Sequence, residues 1–500
     1  MGTVPLSQKF ILAIDQGTTG STVIIIDSRA RLRAKATFEF KQSFPRPGWV
    51  EHAPEDIWDS VLKGIKRALQ EAKISSSQIA AIGLANQRET SLLWDRQSGK
   101  AVYPAIVWQD RRTAAFCASL KKSGREALFH KKTGLFLDPY FSGTKIHWIL
   151  EYVPGVRARA QKGEISFGTI DSFLLWKLSG GKVHKTDASN ASRTLLMDIK
   201  TLRWDEKLCS ILGVPMNILP EICPNVGVLG VTRGVPNLPD EIPISGMAGD
   251  QQAALFGQRG FSKGDAKCTF GTGSFILLNT GETPVLSRWG NVSTVALYFN
   301  GKVSYALEGG AFICGAAVQW LRDGLKIIRS SSEIEKLASS VSDNGGVQFV
   351  PAFAGLGVPY WNPEVRGLIC GLTRGVTGGH LALATLEAIS LQNVDILRAM
   401  AKDIHGPIKT LRVDGGASSN ELLMQIQSDY SGVCLYRPEN VETTALGAAL
   451  MAGLGAGFWK NLEEIKKIRI PEKKFIPAMG SKKREERIQI WHQAIARARL

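Results

Sequence analysis

The sequence predicts an α/β protein of two domains with a cleft between them, on three observations: chain length, alternating strand and helix patterns, and a repeated glycine-turn hairpin. Five hundred residues exceed what one hydrophobic core normally serves, so two domains of roughly 200 to 250 residues each are expected. The run Phe10-Ile11-Leu12-Ala13-Ile14-Asp15-Gln16-Gly17-Thr18-Thr19-Gly20-Ser21-Thr22-Val23-Ile24-Ile25-Ile26 reads as strand, tight glycine turn and strand, a hairpin with a polar tip. A second hairpin, Lys267-Cys268-Thr269-Phe270-Gly271-Thr272-Gly273-Ser274-Phe275-Ile276-Leu277, echoes it, so the chain reads as internally duplicated.

Between and beyond these hairpins, apolar positions at helical spacing with acids in the first turn predict a helix over 54–68, and 79–84 reads as a strand. Residues 242–246 read as a strand running into a Gly249-Asp250-Gln251-Gln252 turn and then a helical segment from Ala253. The domain boundary is placed there, giving 1–252 and 253–500. A long helix is expected over 381–400, a strand over 410–413, the turn Asp414-Gly415-Gly416-Ala417-Ser418-Ser419-Asn420, a helix over 421–428, and another over 445–452 that the glycines 453, 455 and 457 end. Strands and helices in alternation mean α/β.

Composition removes several function classes. The longest apolar stretches fall well short of the roughly 20 residues a spanning helix needs, and the first ten residues do not read as a secretory leader, so a cytoplasmic chain without membrane insertion is expected. Seven cysteines, widely spaced and without a CxxC pair, indicate neither a disulfide framework nor a zinc site. The net charge of +16 would suit a nucleic-acid partner. Its excess is concentrated at residues 460–500, with 12 Lys or Arg against 5 Asp or Glu. There 482–487 leads into Ile488, Ile490, Trp491 and Ile495, an amphipathic closing helix with a basic solvated face, so no nucleic acid is expected. A dinucleotide-dependent oxidoreductase is disfavoured, because no GxGxxG sits between a first strand and a helix.

Three glycine turns after strands suit phosphate, because backbone N–H groups can approach it closely there. Phosphoryl transfer asks mainly for such donors, a carboxylate near Mg²⁺, and a base for the attacking hydroxyl. Asp15 at a strand end is the candidate carboxylate for hydrated Mg²⁺.

Long segments distributed in order along the chain carry a resemblance to a known family: Pro47-Gly48-Trp49-Val50-Glu51-His52, Asn86-Gln87-Arg88-Glu89-Thr90, Asp138-Pro139-Tyr140-Phe141-Ser142-Gly143-Thr144-Lys145, Asn190-Ala191-Ser192-Arg193-Thr194, Gly249-Asp250-Gln251-Gln252-Ala253, Gly355-Leu356-Gly357 with Pro359-Tyr360-Trp361, and Val413-Asp414-Gly415-Gly416. Over nearly its whole length the chain resembles the FGGY carbohydrate kinases, and among them those that act on glycerol. The resemblance implies two ribonuclease-H-like (actin-like ATPase) domains closing on ATP, with 1–252 on the polyol and phosphate-loop side and 253–500 on the nucleotide side. It implies ATP-dependent phosphorylation of glycerol to sn-glycerol 3-phosphate, with Asp250 as general base. The polyol set it implies is Arg88, Glu89, Trp108, Tyr140, Asp250, Gln251 and Phe275. Chemically, that mixture of hydrogen-bonding groups and aromatic faces suits a three-carbon triol. Phosphate contacts fall on Thr18, Thr19 and Thr272, and further ATP contacts on Gly315, Gln319, Gly416 and Asn420. Gly315 and Gln319 also read as a helix packing closely on its neighbour. Homodimers or homotetramers are implied as well. A kinase for another small polyol or ketose, and a non-catalytic nucleotide-binding regulator, stay open as alternatives.

Two departures stand out. Where glycerol-acting relatives carry an arginine in the first loop, this chain has Thr22, removing a cation that would face phosphate. Relatives inhibited by fructose 1,6-bisphosphate use a glycine-rich basic loop. The matching stretch here is Gly234-Val235-Pro236-Asn237-Leu238-Pro239-Asp240-Glu241, whose acids should repel a bisphosphate.

Overall fold

The computed structural model describes residues 9–500; the leader expectation rests largely on residues 1–8, which lie outside them. Two sheets organise the chain. The first runs in the spatial order Leu32–Glu39, Gly20–Asp27, Phe10–Gln16, Ile79–Asn86, Pro243–Gly249, Val226–Val231. The second runs Val292–Phe299, Lys302–Ala311, Ser274–Gly281, Ala266–Phe270, Thr410–Asp414, Cys434–Pro438, Glu472–Phe475. In both, the opening strand pairs antiparallel with the second strand of its hairpin and parallel with the strand that returns after a long helix. A further parallel strand and an antiparallel edge complete the match. The duplication legible in the two hairpins therefore extends to whole sheets.

The local reasons are ordinary. Helix Pro54–Ala72 starts with proline and two acids, buries Ile57, Val61, Ile65, Ala68 and Leu69 on the first sheet, and stops at Lys73 in the left-handed region. Helix Gly378–Asp403 plays the same part on the second sheet, burying Leu386, Ile389, Ile396 and Met400.

Each sheet's last parallel strand feeds a helix that lies between the halves: Asp250–Gly257 after Pro243–Gly249, and Thr443–Gly455 after Cys434–Pro438. These two helices cross so closely that a Cβ on Gly447 would come 1.8 Å from the Ala253 carbonyl oxygen. Thr443–Gly455 also covers one face of the first sheet, packing Ala445, Ala448 and Ala449 with Ile11, Ala13, Ile24 and Ala85. A shared apolar layer thus joins the halves directly under the cleft.

An insertion in the first half builds a third core around Phe129, Phe141, Ile149, Phe167 and Leu195, over a five-stranded sheet that includes Ser91–Asp95 and Ile165–Thr169. It carries Trp108, Tyr140 and Arg193 over the cleft.

Two expectations need correction. Asp250, Gln251 and Gln252 form the first turn of helix Asp250–Gly257 rather than a turn before it. An Asp at a helix start is stabilised by the unpaired N–H groups there, so a polar stretch after a strand fits both readings. In the closing helix Ser481–Ala498, Ile488, Trp491 and Ile495 are buried at helical spacing, but Ile490 falls on the outer face. Among the described residues the seven cysteines are free, and no helix is long and apolar enough to cross a membrane.

Candidate active site

After strand Ile79–Asn86 the chain turns sharply, with Glu89 at φ +58°, a left-handed conformation rare for a side-chain-bearing residue and costly enough to suggest a functional constraint. The turn sends Arg88 and Glu89 into the interior, where both are at most 3% exposed. Arg88 Nη1 donates to Glu308 Oε2, and Nη2 to Glu308 Oε1 at 3.0 Å. Arg193 reaches the same cluster, donating from Nε to Glu89 Oε1 at 2.6 Å and from Nη2 to Glu308 Oε1 at 2.9 Å. Two arginines and two glutamates, all buried, therefore form one network, and Glu308 brings its carboxylate from the other half of the molecule. Burial raises the Glu89 carboxyl above its ordinary range against the two arginines, whereas Arg193 and Arg88 hold the Glu308 carboxyl below it.

Asp250 stands over this network. Its Oδ1 lies 3.1 Å from Arg88 Nε and accepts the Gln251 N–H at 2.7 Å, which leaves Oδ2 for the cleft. Gly249 permits the approach, since a Cβ there would meet Arg88 Cδ at 2.5 Å. The opposite wall is aromatic: Trp108 meets Tyr140 edge-on at 5.7 Å between ring centroids and Phe275 at 6.0 Å. All seven residues of the implied polyol set line one cavity of about 480 Å³, together with Asp15, Thr18, Thr19 and Thr272. A second cavity of about 400 Å³ is lined by Thr272, Gly315, Gln319, Gly416 and Asn420, the residues implied for the nucleotide. Gly271, Thr272 and Gln319 border both, so the cavities meet at the second glycine turn.

The turns are braced rather than loose. Gly17 N–H bonds the Gly20 carbonyl at 2.9 Å, and Gly271 N–H the Gly273 carbonyl at 2.9 Å. The Thr18 hydroxyl accepts the Trp108 indole N–H at 2.9 Å, keeping its own O–H to donate. Gly315 N–H bonds the Gly271 carbonyl at 2.9 Å, and a Cβ on Gly315 would sit 2.8 Å from that oxygen. Gly315 thus serves close packing as well as lining the cavity. Asn420 caps helix Glu421–Ser431 by accepting the Leu423 N–H, which commits its side-chain oxygen and leaves its amide nitrogen.

Asp15 has its carboxyl pushed up to about 8, first by burial and then by repulsion from Asp250 and Glu442, with Lys35 opposing. Such a carboxyl accepts a cation readily, because the cation relieves that repulsion. Among the described residues no group of three or more His, Cys, Asp or Glu side chains could hold a metal ion. A divalent ion here would therefore rest on one carboxylate, phosphate oxygens and water, the usual manner of Mg²⁺. Thr22 makes a hydroxyl pair with Thr37 at 3.0 Å on the neighbouring strand, and Lys35 on that strand ion-pairs with Glu442 across the two halves.

Four contributors were not singled out from sequence: Glu308, Arg193, Gln252, which accepts from Arg88 Nη1 at 3.3 Å, and Lys267, which donates to the Gln251 side-chain oxygen. Arg193 lay within a quoted motif without a role. Glu308 is a lone acid in an otherwise apolar stretch of strand Lys302–Ala311, a signal that buried acids are rare unless paired.

The comparisons with known proteins establish the family. The model of the FGGY family of carbohydrate kinases, N-terminal domain, matches residues 10–257, and that of its C-terminal domain matches 266–456. The chain is 58% identical over 490 residues to a glycerol kinase of Bdellovibrio bacteriovorus, covering 98% of this chain and 99% of that protein. It is 52% identical over 494 residues to glycerol kinase 2 of Thermotoga maritima, with coverage of 98% and 99%. The structure of Plasmodium falciparum glycerol kinase with ADP superposes with a TM-score of 0.90 at 36% identity, covering 99% of each chain. A gluconate kinase from Lactobacillus acidophilus shares the fold, with a TM-score of 0.85 at 21% identity and coverage of 98% and 97%. With two duplicated sheets of the actin-like, ribonuclease-H-like type around one cleft, the chain belongs to the FGGY family of carbohydrate kinases and, within it, groups with the glycerol kinases.

Proposed function

We infer that this protein transfers the γ-phosphoryl group of ATP to a terminal hydroxyl of glycerol, giving sn-glycerol 3-phosphate and ADP. The observation that carries the reading is Asp250: one oxygen is tied down by Arg88 and Gln251, and the other is left in a cavity that joins the polyol set to the glycine turns. Arg88, Glu89 and Gln251 orient the triol by hydrogen bonds, and Trp108 and Phe275 cover its carbon chain. Asp250 accepts the proton of the attacking hydroxyl as its oxygen bonds to phosphorus and the bond to the ADP oxygen breaks. Thr18, Thr19 and Thr272 donate to phosphate oxygens, and Gln319, Gly416 and Asn420 take the nucleotide. Asp15 holds Mg²⁺, which supplies positive charge against the phosphates.

A buried polar set of this kind rejects analogues lacking a hydroxyl, because its own groups would be left unpaired. We propose the functional division as residues 1–252 on the polyol side and 253–500 on the nucleotide side, with Phe275 and Glu308 contributed across it. Cytoplasmic location and assembly into dimers or tetramers belong to the same reading. Product analysis tests it: incubation with ATP, Mg²⁺ and glycerol should yield glycerol 3-phosphate phosphorylated at one terminal carbon. Glycerol recovered unchanged while ATP is hydrolysed would overturn it.

A further inference from the structure

Lys267 is fully buried, yet among the described residues its ammonium forms no ion pair. It donates to the Gln251 side-chain oxygen and, at 2.8 Å, to the Thr269 hydroxyl, both neutral. Burying a lone ammonium is expensive, so its retention asks for a reason. Lys267 and Thr269 alternate on one face of strand Ala266–Phe270, turned toward the first turn of helix Asp250–Gly257. The lysine belongs to the second half of the molecule and Gln251 to the first turn of the helix between the halves. Burial pulls the ammonium below the ordinary lysine range, with Asp414 and Asp250 offsetting part of that cost.

We propose that Lys267 is a positioning residue for the acceptor: by holding the Gln251 side-chain oxygen it fixes the amide, so that the amide nitrogen faces the cleft as a donor to a substrate hydroxyl. An amide free to rotate would present either oxygen or nitrogen and would lose that preorganisation. The proposal rests on the assignment of Gln251 to the acceptor site.

A double-mutant cycle separates the two ideas. Lys267→Met, Gln251→Ala and the double variant are compared for KM of glycerol, KM of ATP and kcat. Each single change should raise KM for glycerol by about 10- to 100-fold, the span of a charge-assisted hydrogen bond, with KM for ATP within about twofold of wild type, a shift of well under one hydrogen bond. The double variant should be no worse than the poorer single one. Losses that multiply, or a Lys267→Met effect confined to ATP, overturn the proposal. A normal KM for glycerol in Gln251→Ala overturns the acceptor assignment itself, and the proposal with it.

Should Lys267→Met not fold, Gln251→Glu decides: a carboxylate facing the ammonium should raise Tm while weakening glycerol binding. An unchanged or lower Tm contradicts the contact.

Discussion

The proposed acceptor and nucleotide cavities meet at Thr272 but are built on opposite principles. The acceptor side is dense with buried charge: Arg88, Glu89, Arg193 and Glu308 are each at most 3% exposed and are satisfied mainly by one another. The nucleotide side is lined by glycine turns, Ser, Thr, Gln and Asn together with the apolar Phe270, Val318, Ile334, Leu386 and Leu423, and Glu335 is its one charged wall residue. On the proposed reading a fixed network of charges would select a small neutral triol by geometry, since each hydroxyl must find a partner of the right sense in the right place. Phosphate needs less shape and more charge, which backbone N–H groups and a cation supply. The difference implies that substitutions on the acceptor side should disturb folding and glycerol binding together, whereas the donor side should respond chiefly to cations.

The largest effect is expected at Asp250, in the acceptor cavity. Asp250→Asn should lower kcat by about 10²–10⁴-fold, the span of general-base catalysis, while ADP binding by calorimetry stays as in wild type. Turnover that survives removes Asp250 as the base. Next comes the network beneath it. Glu308→Ala leaves two buried guanidinium groups without their shared carboxylate and should cost about 3–5 kcal/mol of stability, read from urea unfolding. A loss under about 1 kcal/mol, the size of an exposed ion pair, would show that the charges are more hydrated than the packing indicates.

On the donor side the prediction concerns pH. The Asp15 carboxyl titrates near 3.8 when unfolded and near 8 in the folded chain. Between those values the folded state keeps a proton that the unfolded state has lost, so in cation-free solution this group makes stability fall as pH rises through that window. Asp15→Asn should flatten that slope between pH 5 and 8, and Mg²⁺-nucleotide should oppose it in wild type only. An identical slope in the variant places the titration elsewhere.

The smallest effect lies outside both cavities. The loop starting at Gly234 folds on itself, with Asp240 accepting the Gly234 N–H at 2.7 Å and Glu241 pairing with Arg233 at 3.1 Å. Arg233 is thus already neutralised, and fructose 1,6-bisphosphate should leave the rate unchanged. A clear inhibition curve at millimolar concentration would show another site.

The contrast between the cavities also explains what the sequence made legible. Glycine turns announce themselves locally, because the φ > 0 and close-approach demands of a phosphate loop select residues within a few positions of one another. The three glycine turns and Asp15 could be singled out for that reason, whereas Thr272 and Gly416 came through the family resemblance; helices Pro54–Ala72 and Gly378–Asp403 were legible through their apolar spacing. Glu308 was not: its partners Arg88 and Arg193 are 220 and 115 residues away, and nothing in strand Lys302–Ala311 names them. Lys267 was hidden similarly, as a lysine in a hairpin strand that normally points to water. Asp250 was singled out from sequence but placed in a turn, since a polar stretch after a strand serves equally as a turn and as the first turn of a helix.

The central claim is that glycerol is the acceptor. ADP release should be followed with ATP and Mg²⁺ alone, and then with glycerol, a ketose and a sugar acid each added at equal concentration. ADP formation should be nearly absent without an acceptor and should rise steeply with glycerol alone. A rate that is independent of glycerol, or one driven more strongly by the ketose or the sugar acid, would contradict the assignment of Arg88, Glu89, Asp250 and Gln251 to a three-carbon triol.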